Sequence, residues 1–268
     1  EIGMGNNFLT IRAIKLNSDG ALGSRGAWLL ADYSDRPGHA GMATQPMSYI
    51  HEVTENGLLF GFQVNTHSIG DRAVREVLDQ YESVFKLHPD VNNDHRFRIE
   101  HAQHIDPADI PRFKELGVIA SIQGIHLSSD RPWAIDRLGK MRIEESAYVW
   151  RNLFESGAVV INGSDVPVEP ISPIESFYAS VTRKTLKGSP EDGYEPWQKM
   201  TREEALKSYT LSAAYASFEE DFKGSVEIGK VADFTVLSHD IMTVPDNVIL
   251  DTKIIYTIVN GKIQYKAE

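Results

Sequence analysis

Between residues 71 and 85 the apolar side chains Ala73, Val74, Val77, Leu78, Tyr81 and Val84 recur three and four apart. That spacing predicts a helix with one buried stripe. The run 47–56 has the same helical spacing and ends before Gly57, read as the residue just past the helix. Segments 9–16, 58–65, 97–99, 118–122 and 159–162 are short and apolar or alternating, which predicts strands. Further helices are expected over 107–116, with Asp106 as N-cap and Pro107 at its first position, over 144–155 closed by Gly157, and over 201–215. The last opens with Thr201-Arg-Glu-Glu, a capping-box pattern. Strand, loop and helix therefore alternate, which predicts a parallel sheet covered by helices.

After Asp221 the texture changes. Segments 225–228, 233–237, 254–259 and 262–265 read as strands with no helix between them, and Asn260-Gly261 is a hairpin signal. The expected domains are 1–221, a barrel-type α/β unit, and 222–268, an antiparallel β segment. The Gly-, Asp- and Ser-rich stretch 21–45 reads as a long loop of the functional kind. About five strands precede residue 200, whereas a (β/α) barrel needs eight. The fold expected is therefore a partial TIM-like (β/α)8 barrel, or else a different fold.

The chain has 268 residues, Lys+Arg 27 against Asp+Glu 38, and a formal net charge of −11. That balance argues against nucleic acid or an anionic membrane as partner and says little about a small-molecule substrate, which is the expected partner on other grounds. Cysteine is absent, which removes disulfides, thiolate zinc ligands and thiol nucleophiles. No apolar run nears the ~20 residues that span a bilayer, and residues 1–7 have no leader-like pattern. The cytoplasm is the expected location, with a leader upstream of Glu1 left open.

Candidate chemistry sits where the strands should end. His67 and His101 are 34 residues apart, and Asp165 lies 64 beyond His101. These intervals are close to one and two βα units of roughly 30 residues. Side chains at the C-terminal ends of barrel strands converge on one mouth, and two imidazoles with a carboxylate there suit a hydrolytic metal. His126 follows the strand at 118–122 and is expected to touch substrate or the developing oxyanion. Asp19 and Arg25, in the loop after Lys15, and Arg131 and Trp133, in a presumed loop after His126, are the candidate substrate wall. His104 is placed behind the ligands, supporting them. Glu100 is read as structural, and His39, His51, His88, His95 and His239 as surface residues.

These segments resemble the amidohydrolase superfamily, specifically its amidohydrolase-3 type of metal-dependent hydrolases. The resemblance rests on Lys15-Leu-Asn-Ser-Asp-Gly-Ala-Leu-Gly-Ser-Arg, Asn65-Thr-His-Ser-Ile-Gly-Asp-Arg-Ala-Val, Arg98-Ile-Glu-His-Ala-Gln and Asn162-Gly-Ser-Asp-Val-Pro-Val. Pro173 and the tail Gly224-Ser-Val-Glu-Ile-Gly-Lys-Val-Ala-Asp-Phe extend it. It implies a C-terminal portion of a TIM-like barrel whose tail belongs to a small β-sandwich. It further implies His67 and His101 as metal ligands, Asp165 as ligand and general base, and Lys15 as a carboxylated bridging ligand. The implied cofactor is zinc, one or two divalent ions, and the implied reaction is hydrolysis of an amide, formamide or cyclic amide C–N bond. The family's His-x-His pair at the first strand is absent from this chain. The competing expectation is a non-catalytic fragment whose open sheet edges pair with a second copy, as a homo-oligomer, or with an N-terminal piece.

Overall fold

The computed structural model describes residues 1–91 and 94–268. In chain order the elements are α1 (Met4–Asn7), β1 (Ala13–Asn17), α2 (Met47–Leu59), β2 (Gln63–Ser68), α3 (Asp71–Leu87), β3 (Arg98–His101), α4 (Ile110–Glu115), β4 (Ile119–Ile122), α5 (Gly124–Glu145) and α6 (Trp150–Glu155). There follow β5 (Val160–Asn162), α7 (Pro173–Thr182), α8 (Arg202–Tyr209), α9 (Leu211–Ala216), β6 (Phe234–Leu237), β7 (Ile254–Val259) and β8 (Lys262–Lys266). Two compact units divide the chain: Glu1–Ile122 with Trp133–Val159, and Gln123–Pro132 with Val160–Glu268. No helix among the described residues is long and apolar enough to cross a membrane.

In the first unit β1 to β4 pair in parallel. Lys15 stands level with Asn65, and Asn17 with His67. His67 is level with Glu100, and Ser68 with His101. The stripe expected on α3 is the buried one, comprising Ala73, Val74, Val77, Leu78, Tyr81 and Val84. Tyr81 keeps its hydroxyl satisfied in this apolar setting by sharing a hydrogen bond of 2.7 Å with Thr66.

The second unit holds β5, α7, α8, α9 and the antiparallel sheet β6-β7-β8. Thr201 and Glu204 form the expected capping box at α8. Asn260 and Gly261 both take positive φ, 49° and 72°, as the β7–β8 hairpin requires.

Several boundaries differ from the sequence reading. Helix α2 runs through Gly57 to Leu59, and the left-handed residue beyond it is Gly61 (φ 73°). Gly57 is needed for another reason: a Cβ there would lie 2.4 Å from Val64 Cγ2. Asp106 and Pro107 make a turn, with the Asp106 carboxylate accepting from the Ala108 N–H, so α4 starts only at Ile110. Residues 124–145, kinked at Gly139 where φ is 76°, are helical (α5) rather than a loop. Its first N–H groups, which no helix satisfies internally, donate to the Asn162 and Ser176 side chains at 3.0 and 3.1 Å. The expected helix at 144–155 is cut short because Tyr148 has φ 52°. Thr210 breaks the helix expected over 201–215 in two. Helix α7 went unpredicted because it is buried on nearly every side and has no stripe to read. Segment 225–228 forms no strand, and Val226 and Ile228 are exposed.

Gly57→Ala would gain about 1 kcal/mol of helix propensity and lose about 1–3 kcal/mol to overpacking against Val64. The expected net effect is destabilisation in urea unfolding, relieved when Val64→Ala is added.

Candidate active site

The first unit builds one half of the expected chemistry. Register alone puts His67 in the row of Glu100, with His101 on the opposite face of its strand by pleat alternation. Backbone conformation breaks that alternation. His101 and Ala102 both take positive φ, 77° and 41°, and the His101 ring ends edge-on to His67 with centroids 4.4 Å apart. Consecutive non-glycine residues in this region cost of order 1–3 kcal/mol each and cluster at functional sites. Lys15 lies two residues before the row of His67, level with Asn65, and is exposed.

The loop after β1 grips the segment 67–70. Ser18 donates from its N–H and its hydroxyl to the His67 carbonyl, at 2.9 and 2.6 Å. Asp19 accepts from the N–H groups of Ile69 (3.0 Å), Gly70 (2.8 Å) and Trp28 (2.9 Å). Its carboxylate also lies 3.5 Å from His67 Nε2, and its side chain is fully shielded from solvent. Burial pushes the Asp19 carboxyl up to about 7, against the three main-chain donors that lower it.

The other residues placed in the substrate wall occupy varied settings. Arg25 is ion-paired with Asp35 through two hydrogen bonds. Trp133 lies on α5, stacked under the Arg137 guanidinium and beside Gly23. Glu100 accepts from Ser121 at 2.5 Å and pairs with Arg98 at 3.2 Å, a structural role as expected. His95 is not a surface residue: its ring stacks on Phe85 at 3.9 Å, and burial lowers its pKa to about 4.

His104 is buried, its ring packed edge-on against Tyr148. Neither ring nitrogen has a hydrogen-bond partner among the described residues. Burial, with a smaller contribution from the Arg142 charge, lowers its pKa to about 3.

The second unit builds the other half. His126 Nε2 faces Asp165 Oδ2 at 3.7 Å. His126 is buried near the start of α5, and Asp165 follows β5 with φ 57°, again a non-glycine residue in the left-handed region. Arg131 is not a free wall residue. Its Nε and Nη2 bond the Glu195 carboxylate, with the shortest contact 2.6 Å, and its guanidinium lies 4.6 Å over the Tyr194 ring. Arg183 reaches the same carboxylate at 3.2 Å, and all three charged groups are buried. Sequence reasoning missed Glu195 and Arg183, whose loop and helix-end positions have no local pattern. Ser18 was also missed, although its place beside Asp19 in the Lys15 motif could have drawn notice.

Among the described residues no group of three or more His, Cys, Asp or Glu is placed to hold a metal. Two pairs are present instead, His67 with His101 and His126 with Asp165. Neutral imidazoles and carboxylates are the donors a divalent cation such as zinc takes in a cysteine-free chain, so the residue types fit such an ion.

Parallel strands alternating with helices, with His67 and His101 near the strand ends, place the first unit in the α/β class, of the TIM-like type seen in a metal-dependent hydrolase of similar structure. The profile of the amidohydrolase family matches residues 3–265, and the chain belongs to that family. It is 36% identical to Protein LONG AFTER FAR-RED 3 of Arabidopsis thaliana, over 87% of this chain and 39% of that protein. It is 28% identical to the N-substituted formamide deformylase of Arthrobacter pascens, over 85% of this chain and 41% of that enzyme. Among solved structures, a metal-dependent hydrolase of Pyrococcus horikoshii OT3 superposes with a TM-score of 0.78 at 31% identity, covering 90% of this chain and 47% of that one. The chain thus spans roughly two fifths of the length of these curated relatives.

Because the folded state holds His104 neutral and the unfolded chain protonates near 6.5, its contribution is intact above 6.5. It is lost progressively as pH falls toward about 3, at up to about 1.4 kcal/mol per pH unit. His104→Phe removes both ring nitrogens and is expected to flatten that acid limb in denaturation curves recorded between these values. Glu195→Gln leaves Arg131 and Arg183 without their shared buried carboxylate and is expected to cost about 3–5 kcal/mol in urea unfolding.

Proposed function

We propose that the protein carrying this chain is a metal-dependent amidohydrolase that hydrolyses a C–N bond in a small-molecule amide, formamide or cyclic amide. The observation that carries the reading is the pairing of His67 with His101 at the ends of adjacent parallel strands, 4.4 Å between rings, in a member of the amidohydrolase family. Similarity to a formamide deformylase supports the choice of bond, and similarity to a metal-dependent hydrolase supports the cation.

In this reading His67 and His101 would hold a divalent ion, zinc being the one proposed, with Asp165 proposed as a further ligand, and Lys15 in carboxylated form would hold a second. When bound, such an ion polarises the substrate carbonyl and makes water a better nucleophile near neutral pH. Asp165 takes the proton of the attacking water and delivers it to the leaving nitrogen, a shuttle suited to a carboxylate that keeps partial access to solvent. His126, facing that carboxylate, donates to the oxyanion that develops on the carbonyl. The strained backbone at His101, Ala102 and Asp165 aims these side chains in advance, so little reorganisation is left for the reaction. Residues 222–268 are proposed as the C-terminal β segment of a small composite β domain.

The test uses the full-length protein and a panel of N-acyl and N-formyl amines, with released amine measured before and after chelation and zinc restoration. Asp165→Asn is expected to keep fold and zinc content while lowering kcat by about 10²–10⁴. Near-parental turnover in that variant, or full turnover after complete chelation, overturns the reading.

A further inference from the structure

A carboxylate offers about four lone-pair sites to donors. On Asp19, three are filled by main-chain N–H groups: Oδ2 accepts from Trp28 and Gly70, and Oδ1 from Ile69. The remaining site is on Oδ1, and that oxygen lies 3.5 Å from His67 Nε2. Three main-chain bonds and complete shielding of the side chain fix this carboxylate in place. Main-chain anchors around it fix the other partner. Ser18 holds the His67 carbonyl twice, and its hydroxyl also shares a hydrogen bond of 2.9 Å with Ser68. Both residues of the pair therefore belong to one interlocked turn, and Nε2 faces Oδ1 at 3.5 Å, longer than an ordinary hydrogen bond. Contacts of this kind are commonly long before a site is filled.

We infer that Asp19 is a positioning residue that selects the tautomer of His67, drawing the ring proton onto Nε2 and leaving Nδ1 as the metal-donating nitrogen. The imidazole of a metal ligand is regularly oriented in this way by a carboxylate on its other nitrogen. Here the orienting group comes from the loop after the preceding strand, so the turn that shapes the loop also sets the ligand. The inference replaces the expected contact of Asp19 with substrate. It rests on the proposed metal site only for its consequence, since the tautomer exists in the metal-free protein.

The experiment is long-range ¹H–¹⁵N correlation of the histidine rings in the full-length, metal-free protein at mildly alkaline pH, where the rings are neutral. His67 is assigned by its disappearance in His67→Gln. The expected result is a protonated Nε2 and an unprotonated Nδ1. Asp19→Asn is expected to shift that equilibrium toward the other tautomer and to weaken binding of zinc alone about 10–100-fold, with circular dichroism confirming a folded variant. A parental His67 protonated on Nδ1 overturns the inference, as does a folded Asp19→Asn with an unchanged tautomer. Should that variant fail to fold, the parental tautomer decides. A parent that binds no zinc sinks the metal-site proposal itself, and it does so before any variant is made.

Discussion

The parallel register of β1, β2 and β3 is the constraint on which the first unit's chemistry depends. Side chains alternate faces along a strand, so a slip of one residue would send every candidate group to the wrong side. The observed pairing of Asn17 with His67, and of His67 with Glu100, sets one row across three strands. Ser18 then locks that register at its end by bonding the His67 carbonyl from both its N–H and its hydroxyl. Asp19 extends the lock to Ile69 and Gly70, immediately before α3 begins. The same few hydrogen bonds therefore tie the end of β2, where His67 lies, to the start of α3.

Register brings His67 to the right place but cannot by itself bring His101 to it. The two lie one step apart in adjacent strands, on opposite pleats. The left-handed backbone at His101 and Ala102 resolves the conflict at a conformational cost that nothing in local propensity repays. Asp165 pays a similar penalty where β5 ends. Backbone strain at both positions, in residues that no turn rule would place there, is what distinguishes them from histidines and aspartates that merely terminate strands.

Much of the fold was legible because its elements have one buried and one exposed side. Helix α3 announced itself through its stripe, α8 through its capping box, and the β7–β8 hairpin through Asn260-Gly261. Elements without that asymmetry were misread. Helix α7 is buried nearly all round and tolerates Ser176, Ser180 and Thr182 because the Ser180 and Thr182 hydroxyls bond carbonyls one turn back. Helix α5 looked like a loop because of its Gly, Ser and Pro content, and its start is held by Asn162 and Ser176, distant in the chain. Gly57 was read as the residue just past α2 when its task is to let α2 approach Val64. The candidate site divided in the same way. His67 and His101 were found from strand ends and spacing, whereas Asp19 was placed in the substrate wall, since its approach to His67 exists only in the folded chain. The Arg131–Glu195–Arg183 cluster was invisible, since its members meet only through tertiary structure.

That cluster and the Asp19 turn use buried charge in different ways. Glu195 answers two guanidinium groups, and the result is a structural knot of one carboxylate shared by two cations, whose attraction is offset by desolvation. Asp19 is surrounded by neutral donors, so its charge is not cancelled by a cation, and burial outweighs the dipoles that favour that charge, raising its pKa to about 7. A carboxylate left uncancelled retains a field that an adjacent imidazole can feel, and one held by main-chain N–H groups has no rotamer freedom in which to dissipate it. Burial for stability alone favours neither arrangement, since each keeps charge in a low-dielectric setting. Finding the second beside a histidine at a strand end argues that the turn after β1 was shaped to act on its neighbour, with the folding of the loop obtained from the same bonds.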